Sequence, residues 1–322
     1  MKLHFAMAGG PLLVAALLVA GCHKNDLAGP ENTGSASDVA AIKAAVTSDA
    51  FVQNDEVTFA DQDVQPTDYG TFGKIDAAMT PLRWGRFITG FTVNVVTTVD
   101  PGDTTATATV QKTFTGTLKI KGITGTGDTV LISKDFTDAS TRNVLLRKVG
   151  RDTAFARWVP VASSLIVGGT SPQPAGAGIA ITQVQLFVPG VDTLTVSDPT
   201  NFYLRYKWLG WYHGGRKDCP SLGGGEPLKI NVTVVSASAD TDIVALRYGF
   251  DFFGHHRRQH MTLISEVDNG NGTFTRVFET NWFMHFNRGF FTVGVDALTR
   301  GTLFDDAAPY SVSWWGLPYR VL

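Results

Sequence analysis

The sequence has no excess of positive charge: 27 Lys and Arg stand against 29 Asp and Glu, a formal net charge of −2. A nucleic-acid partner needs a basic face to neutralise phosphates, so none is expected. Cysteine is nearly absent, with Cys22 and Cys219 alone, so at most one intramolecular disulfide is available. Histidine is missing between His23 and His213, which excludes a histidine acid–base site from the first folded segment. The apolar stretch from about Ala8 to Ala20 is broken by Gly9, Gly10 and Pro11. It is too short for a spanning helix, which needs ~20 apolar residues. The Gly-rich stretch GITGTGDT (122–129) lacks the Lys-Ser/Thr of a phosphate loop, and no G-x-S-x-G elbow occurs. No cofactor is expected.

What is present suits a globular chain. Of 322 residues, 43% are hydrophobic and 17% charged, enough for a real core and for two domains. Glycine is abundant and threonine recurs in runs, which favours turns and strands. At the N-terminus, Lys2, the short apolar stretch and the small residues before Cys22 read as a secretory signal. Within LLVAGCHK (17–24), Val19-Ala20-Gly21-Cys22 resembles the lipobox of bacterial lipoproteins. That resemblance implies cleavage before Cys22, diacylglycerol on its thiol and acylation of the new amine. Residues 1–21 would then be signal peptide, and 22–37 (CHKNDLAGPENTGSAS) a lipidated cysteine and flexible tether. The implied partner is the lipid bilayer. The implied location is the cell envelope, membrane-anchored, periplasmic or surface-exposed. Several acyl chains hold stably, because each buried methylene contributes ~0.8 kcal/mol. Cys219 is left without an intramolecular partner.

Beyond the tether, Asp38 is placed to cap a helix carrying Val39, Ala40, Ile42, Ala45 and Val46 at helical spacing. After Pro81 the period changes to two. In TTATATVQKTFTGTLKIK (104–121), Ala106, Ala108, Val110, Phe114, Leu118 and Ile120 alternate with threonines, and only Lys112 interrupts the apolar face. One face is expected buried and the other wet, as in antiparallel sheets. Asp100-Pro-Gly-Asp103 signals the preceding turn. A strand this long reaches ~60 Å at ~3.3 Å per residue and must bend, with Gly116 the expected site. Further strands are expected at 142–149 and 154–167. One helix with long, bent strands over 38–168 resembles the cystatin-like, nuclear-transport-factor-like α+β fold, which licenses no function by itself. Residues 169–178 read as linker. Residues 179–322 read as about nine short strands with no helix, and Asp268-Asn-Gly-Asn-Gly272 as a hairpin turn. This part resembles an immunoglobulin-like β-sandwich of bacterial surface lipoproteins, with Trp208 as its core tryptophan and without the antibody cysteine pair. The expected fold class is mostly β: an α+β curved antiparallel sheet with one main helix, then an immunoglobulin-like sandwich.

Residues suited to chemistry are few. His256 and His260 share a strand face in FGHHRRQH (253–260), with His255 opposite and His285 as a third ligand if its strand is adjacent. Zinc wants three or four such ligands, whereas adjacent histidines after Gly254 more often mark a solvated turn entering a strand. Tyr203, Trp211, Tyr212 and Trp314 belong to two aromatic clusters. Exposed, they would form a ligand platform; buried, they would be core. Asp55, Glu56, Asp61, Asp63 and Asp68 lack the Gly and Glu that complete a calcium loop. Lys112 and Lys148 are expected on the wrong side of their strands, marking either a pocket or an edge that blocks aggregation. These features point to a non-enzymatic envelope lipoprotein that binds an envelope protein or glycan or serves as a structural spacer. The alternative is an envelope hydrolase or isomerase using His213, Cys219, His255, His256 and His260, with Cys219 activated by His213.

Overall fold

A computed structural model describes residues 32–49, 79–102, 104–150, 157–188, 193–205, 217–218, 221–248 and 257–322. Residues 32–322 form one compact unit. The fold is mostly β, with antiparallel sheets and one main helix. That helix, α1 (Ala36–Thr47), starts earlier than expected. Its cap is Ser35, not Asp38: Ser35 Oγ accepts from Asp38 N–H at 3.1 Å and donates to Asp38 Oδ2 at 2.8 Å. Asp38 is thus the third residue of the helix, and its carboxylate holds the Ser35 hydroxyl that caps it.

Three long strands follow: β1 (Met79–Val99), β2 (Thr105–Thr124) and β3 (Thr129–Val149), paired in antiparallel order. The turn between β1 and β2 uses Gly102 at φ +99° and a bond from Asp100 N–H to Thr105 O. The inward face of β2 is the predicted one, with Ala106, Ala108, Val110, Phe114, Leu118 and Ile120 buried. The irregularity lies opposite Gly116, on β1, where the register shifts between Ile88 and Gly90. A Cβ on Gly116 would lie 2.3 Å from Phe87 O and 2.7 Å from the Phe136 ring, so only glycine admits the approach.

The rest is β4 (Arg157–Ser164), β5 (Ile166–Thr170), β6 (Ile179–Phe187), β7 (Leu194–Val196), β8 (Tyr203–Arg205), β9 (Lys217–Asp218), β10 (Ser221–Leu222), β11 (Pro227–Ser236), β12 (Ile243–Tyr248), β13 (Arg257–His260), β14 (Thr262–Asp268), β15 (Phe274–Phe283), β16 (Gly289–Leu298), the short helix α2 (Arg300–Phe304) and β17 (Val312–Val321). The helix α2 interrupts a region expected to hold strands alone. The hairpin at Asp268–Gly272 forms as expected, with Gly270 and Gly272 at positive φ.

The larger sheet runs β13-β12-β16-β17-β5-β3, continues through β2 to β1, and branches from β3 to β4, β8 and β9. β5 pairs with β3 on one side and β17 on the other, so the sheet passes through residues expected to open the linker. The end strands β1 and β13 meet through side chains. Arg258 Nη1 donates to Trp84 O at 3.2 Å, and its guanidinium lies 3.5 Å from the Trp84 ring centre. The sheet is therefore rolled.

The second sheet, β14-β15-β11-β6-β7, packs on the outside of this roll. β12, β16 and β17 form a shared wall. Their Val244, Leu246, Val293, Val295, Trp315, Leu317 and Tyr319 face the second sheet. Their Ile243, Leu298, Val312 and Trp314 face into the roll, against Trp84, Phe114, Leu118, Ile120 and Phe136. Strands buried on both faces read as near-continuous apolar runs. A third core lies where Ile42 and Val46 of α1 meet Val95, Ala106, Ala108, Val110, Val144, Leu146 and Trp158. Among the described residues no helix is long and apolar enough to cross a membrane.

Candidate functional site

Most residues singled out from the sequence lie outside the described residues: Cys22, Trp208, Trp211, Tyr212, His213, Cys219, His255, His256 and the acidic run 55–68. Tyr203 opens β8 and is half-buried. Trp314 is fully buried, and a Cβ on Gly168 would come within 2.2 Å of its ring. It belongs to the core of the roll, not to an exposed platform. His260 ends β13, and burial, with Arg258 nearby, pushes its imidazole down to about 4. His285 Nε2 is 2.9 Å from Tyr319 Oη, and its ring packs edge-on to Phe291 at 4.3 Å. Among the described residues no group of three or more His, Cys, Asp or Glu is placed to hold a metal.

The two lysines that break the strand pattern do different things. Lys148 reaches α1, where its Nζ donates to Asp38 Oδ1 at 2.9 Å, and it lies 5.5 Å over the Trp158 ring. Lys112 is buried on the inward face of β2.

The densest chemistry lies inside the roll, at residues not picked out beforehand. Arg86 of β1 donates through Nη2 to Asp296 Oδ2 of β16 at 2.7 Å. Arg247 of β12 approaches both oxygens of the same carboxylate, at 2.7 and 3.3 Å. Tyr310, between α2 and β17, donates to Asp138 Oδ2 of β3 at 2.9 Å. All five residues are buried, and Arg86, Asp138 and Asp296 have no exposure at all. Arg86 and Arg247 share the one Asp296 carboxylate, and Lys112, Lys134, Arg142 and Arg258 are buried as well. A charge in such an interior is tolerated only when paired. Burial is the main influence on Asp138 and pushes its carboxyl up to about 7, against the pull of Arg86 and the Tyr310 hydroxyl. Asp138 Oδ1 accepts no hydrogen bond. The sequence signal was an aspartate inside an apolar run, Asp296 in FFTVGVDAL (290–298), and charges at inward parity, Lys134 and Asp138 in KDFTD (134–138).

Chemically, this set can hold a proton near neutrality but offers it to no solvent-facing group, because Tyr310 plugs the interior. A larger open concavity lies elsewhere. A groove of about 530 Å³ lies on the outer face of β2, β3 and β5, where the β6 end forms a wall. Gln111, Thr113, Thr141 and Ser171 line it, over a floor of Ala139 and Gly169. Its exposed side chains are neutral.

No family model and no curated protein matches the chain. One solved structure, described as extended synaptotagmin 2 with its SMP domain and its two C2 domains, aligns over 76% of this chain and 90% of its own. Identity is 9% and the TM-score 0.15.

Proposed function

We propose that the chain is a membrane-anchored cell-envelope lipoprotein with a non-enzymatic binding or structural role. The observation that carries the non-enzymatic part is the use of the charged side chains. Arg86 and Arg247 are spent on Asp296 and Lys134 on backbone carbonyls, and the exposed side chains of the open groove are neutral, the Lys112 of its lining being buried. A general acid or base must reach its substrate, and Asp138 sits behind Tyr310. The anchored part rests on Val19-Ala20-Gly21-Cys22 and the polar stretch after it. The likeness to the cystatin-like fold is supported by α1 lying against the inward face of the curved sheet. The likeness to an immunoglobulin-like sandwich is supported by two facing sheets around one core.

The anchor is tested by expressing the full chain with a labelled fatty acid in a bacterium that processes lipoproteins. The wild type is expected to take up label and sediment with membranes. Cys22→Ala is expected to lose both. A labelled, membrane-bound Cys22→Ala protein would overturn the reading. Binding is tested by capture from envelope fractions with the wild type and with Thr141→Trp, which fills the groove. Capture that the tryptophan leaves unchanged would move the binding site elsewhere.

A further inference from the structure

We propose that residues 305–310, between α2 and β17, form a strap whose closure against β3 is a proton-operated latch with two bolts, Lys134 and Asp138. Both bolts sit on the inward face of β3, four residues or ~13 Å apart. Lys134 Nζ donates to the carbonyls of Gly301 at 3.1 Å, Ala308 at 2.8 Å and Asp305. An ammonium has three donors, so this one is fully used. Asp138 Oδ2 accepts from Tyr310 Oη, and the Tyr310 ring stacks on Phe136 at 5.0 Å. Between the bolts lies a cleft of about 350 Å³ lined by Lys134, Phe136, Thr170, Pro309 and Tyr310.

The strap is suited to move. Asp305, Asp306, Ala307 and Pro309 are exposed, and Tyr310 alone dips into the interior. Its ends are fixed independently. Leu303 and Phe304 of α2 are buried in the core, and Ser311 N–H donates to Thr302 Oγ1 at 3.0 Å. Opening withdraws Tyr310 and admits water to Asp138 and Lys134.

The groups around each bolt set the sign. Facing Asp138 are Tyr310 from the strap, Arg86 from β1, Asp296 from β16 and Thr170 from β5. Facing Lys134 are Asp305 and Asp306 from the strap. β2 places apolar Phe114 and Leu118 opposite the two. Burial, the largest influence on both, raises Asp138 to about 7 and lowers Lys134 to about 8. In the open strap both return toward ordinary values. For Asp138, the closed form binds a proton that the open form has released, so closure is strongest in acid and weakens as pH rises to about 7. For Lys134, the closed form releases a proton that the open form keeps, so closure strengthens as pH rises above about 8. Between these values both bolts are charged while buried. The latch is therefore loosest near neutral pH and tighter on either side.

Hydrogen exchange of the full chain, corrected for intrinsic rates, tests this on the peptide spanning 299–312. Its protection is expected to be lowest at about pH 7–8 and roughly tenfold or more higher at about pH 5, from the size of the Asp138 shift. Peptides from β11 serve as a control and should not follow. Asp138→Asn is expected to abolish the acid limb and leave the alkaline limb, and Lys134→Met the reverse. Equal protection in acid and at neutrality in the wild type would overturn the latch. So would an acid limb that survives Asp138→Asn. If either variant fails to fold, the wild-type profile still decides, because a monotonic profile excludes two opposed bolts.

Discussion

Asp38 shows how much one exposed-looking aspartate does. Its Oδ2 accepts from Ser35 Oγ, and its Oδ1 accepts from Lys148 Nζ and Trp158 Nε1 at 2.9 and 2.8 Å. It therefore both completes the cap of α1 and ties the helix to β3 and β4. These bonds, with the one from Lys148 the largest influence, hold its carboxyl down at about 2. A depressed carboxyl contributes stability that is present above the ordinary aspartate range and lost as pH falls toward about 2. Asp38→Ala is expected to cost ~1–2 kcal/mol in denaturant unfolding near neutral pH, combining cap and hydrogen-bond losses. The deficit should shrink as the pH is taken from about 4 toward about 2, where the wild type loses the same bonds. A deficit independent of pH over that range would show that the carboxylate charge does not matter. The sequence placed Asp38 at the helix start, but nothing local could say that Lys148 and Trp158, more than a hundred residues away, would meet it.

At the scale of elements, legibility followed how many faces were buried. β2 has one wet face, so its alternation of threonine with alanine, valine, leucine and isoleucine set its direction and parity in advance. β16 and β17 are covered on both faces, so their apolar runs revealed strands but not which side met what. The inward arginine of β15 was legible by parity, since Arg276 shares its face with Phe278 and Trp282. Its partners, Asp242 at 2.7 Å and Glu266 at 2.6 Å, lie on other elements and were not. Gly169 reads as the start of a linker, whereas both it and Gly168 lie in β5, and Gly168 is a packing device that leaves room for the Trp314 ring. Trp314 is fully buried in the same core as Phe114 and Val312, so a ring displaced from Gly168 has to displace core neighbours. Gly168→Ala is therefore expected to destabilise by ~1–3 kcal/mol through overpacking, although alanine usually favours a strand over glycine. Near-ultraviolet circular dichroism, which reads the tryptophan environment, should change with the loss. An alanine variant as stable as the wild type would mean that the ring has slack.

For the molecule as a whole, the decisive feature is the shared wall. Residues from 243 to 319 supply one face to the sandwich core and the other to the core inside the roll. The first half of the chain cannot fill the roll alone: without Ile243, Leu298, Val312 and Trp314, the apolar face made by Phe114, Leu118, Ile120 and Phe136 stays wet. The second half, cut loose, exposes Asp296 and Arg247 without Arg86, and Tyr310 without Asp138. The sequence suggested a break near residue 168 because composition shifts to Gly, Pro and Ser there, and composition reports chain stiffness but not sheet pairing. Separate fragments 32–168 and 179–322 are accordingly expected to fail to fold alone, each showing little near-ultraviolet signal. The intact chain is expected to unfold in a single calorimetric transition, with the van't Hoff and calorimetric enthalpies agreeing. Two separated transitions, or a fragment 32–168 that melts cooperatively by itself, would show that the wall is a contact between two independent folds rather than the middle of one.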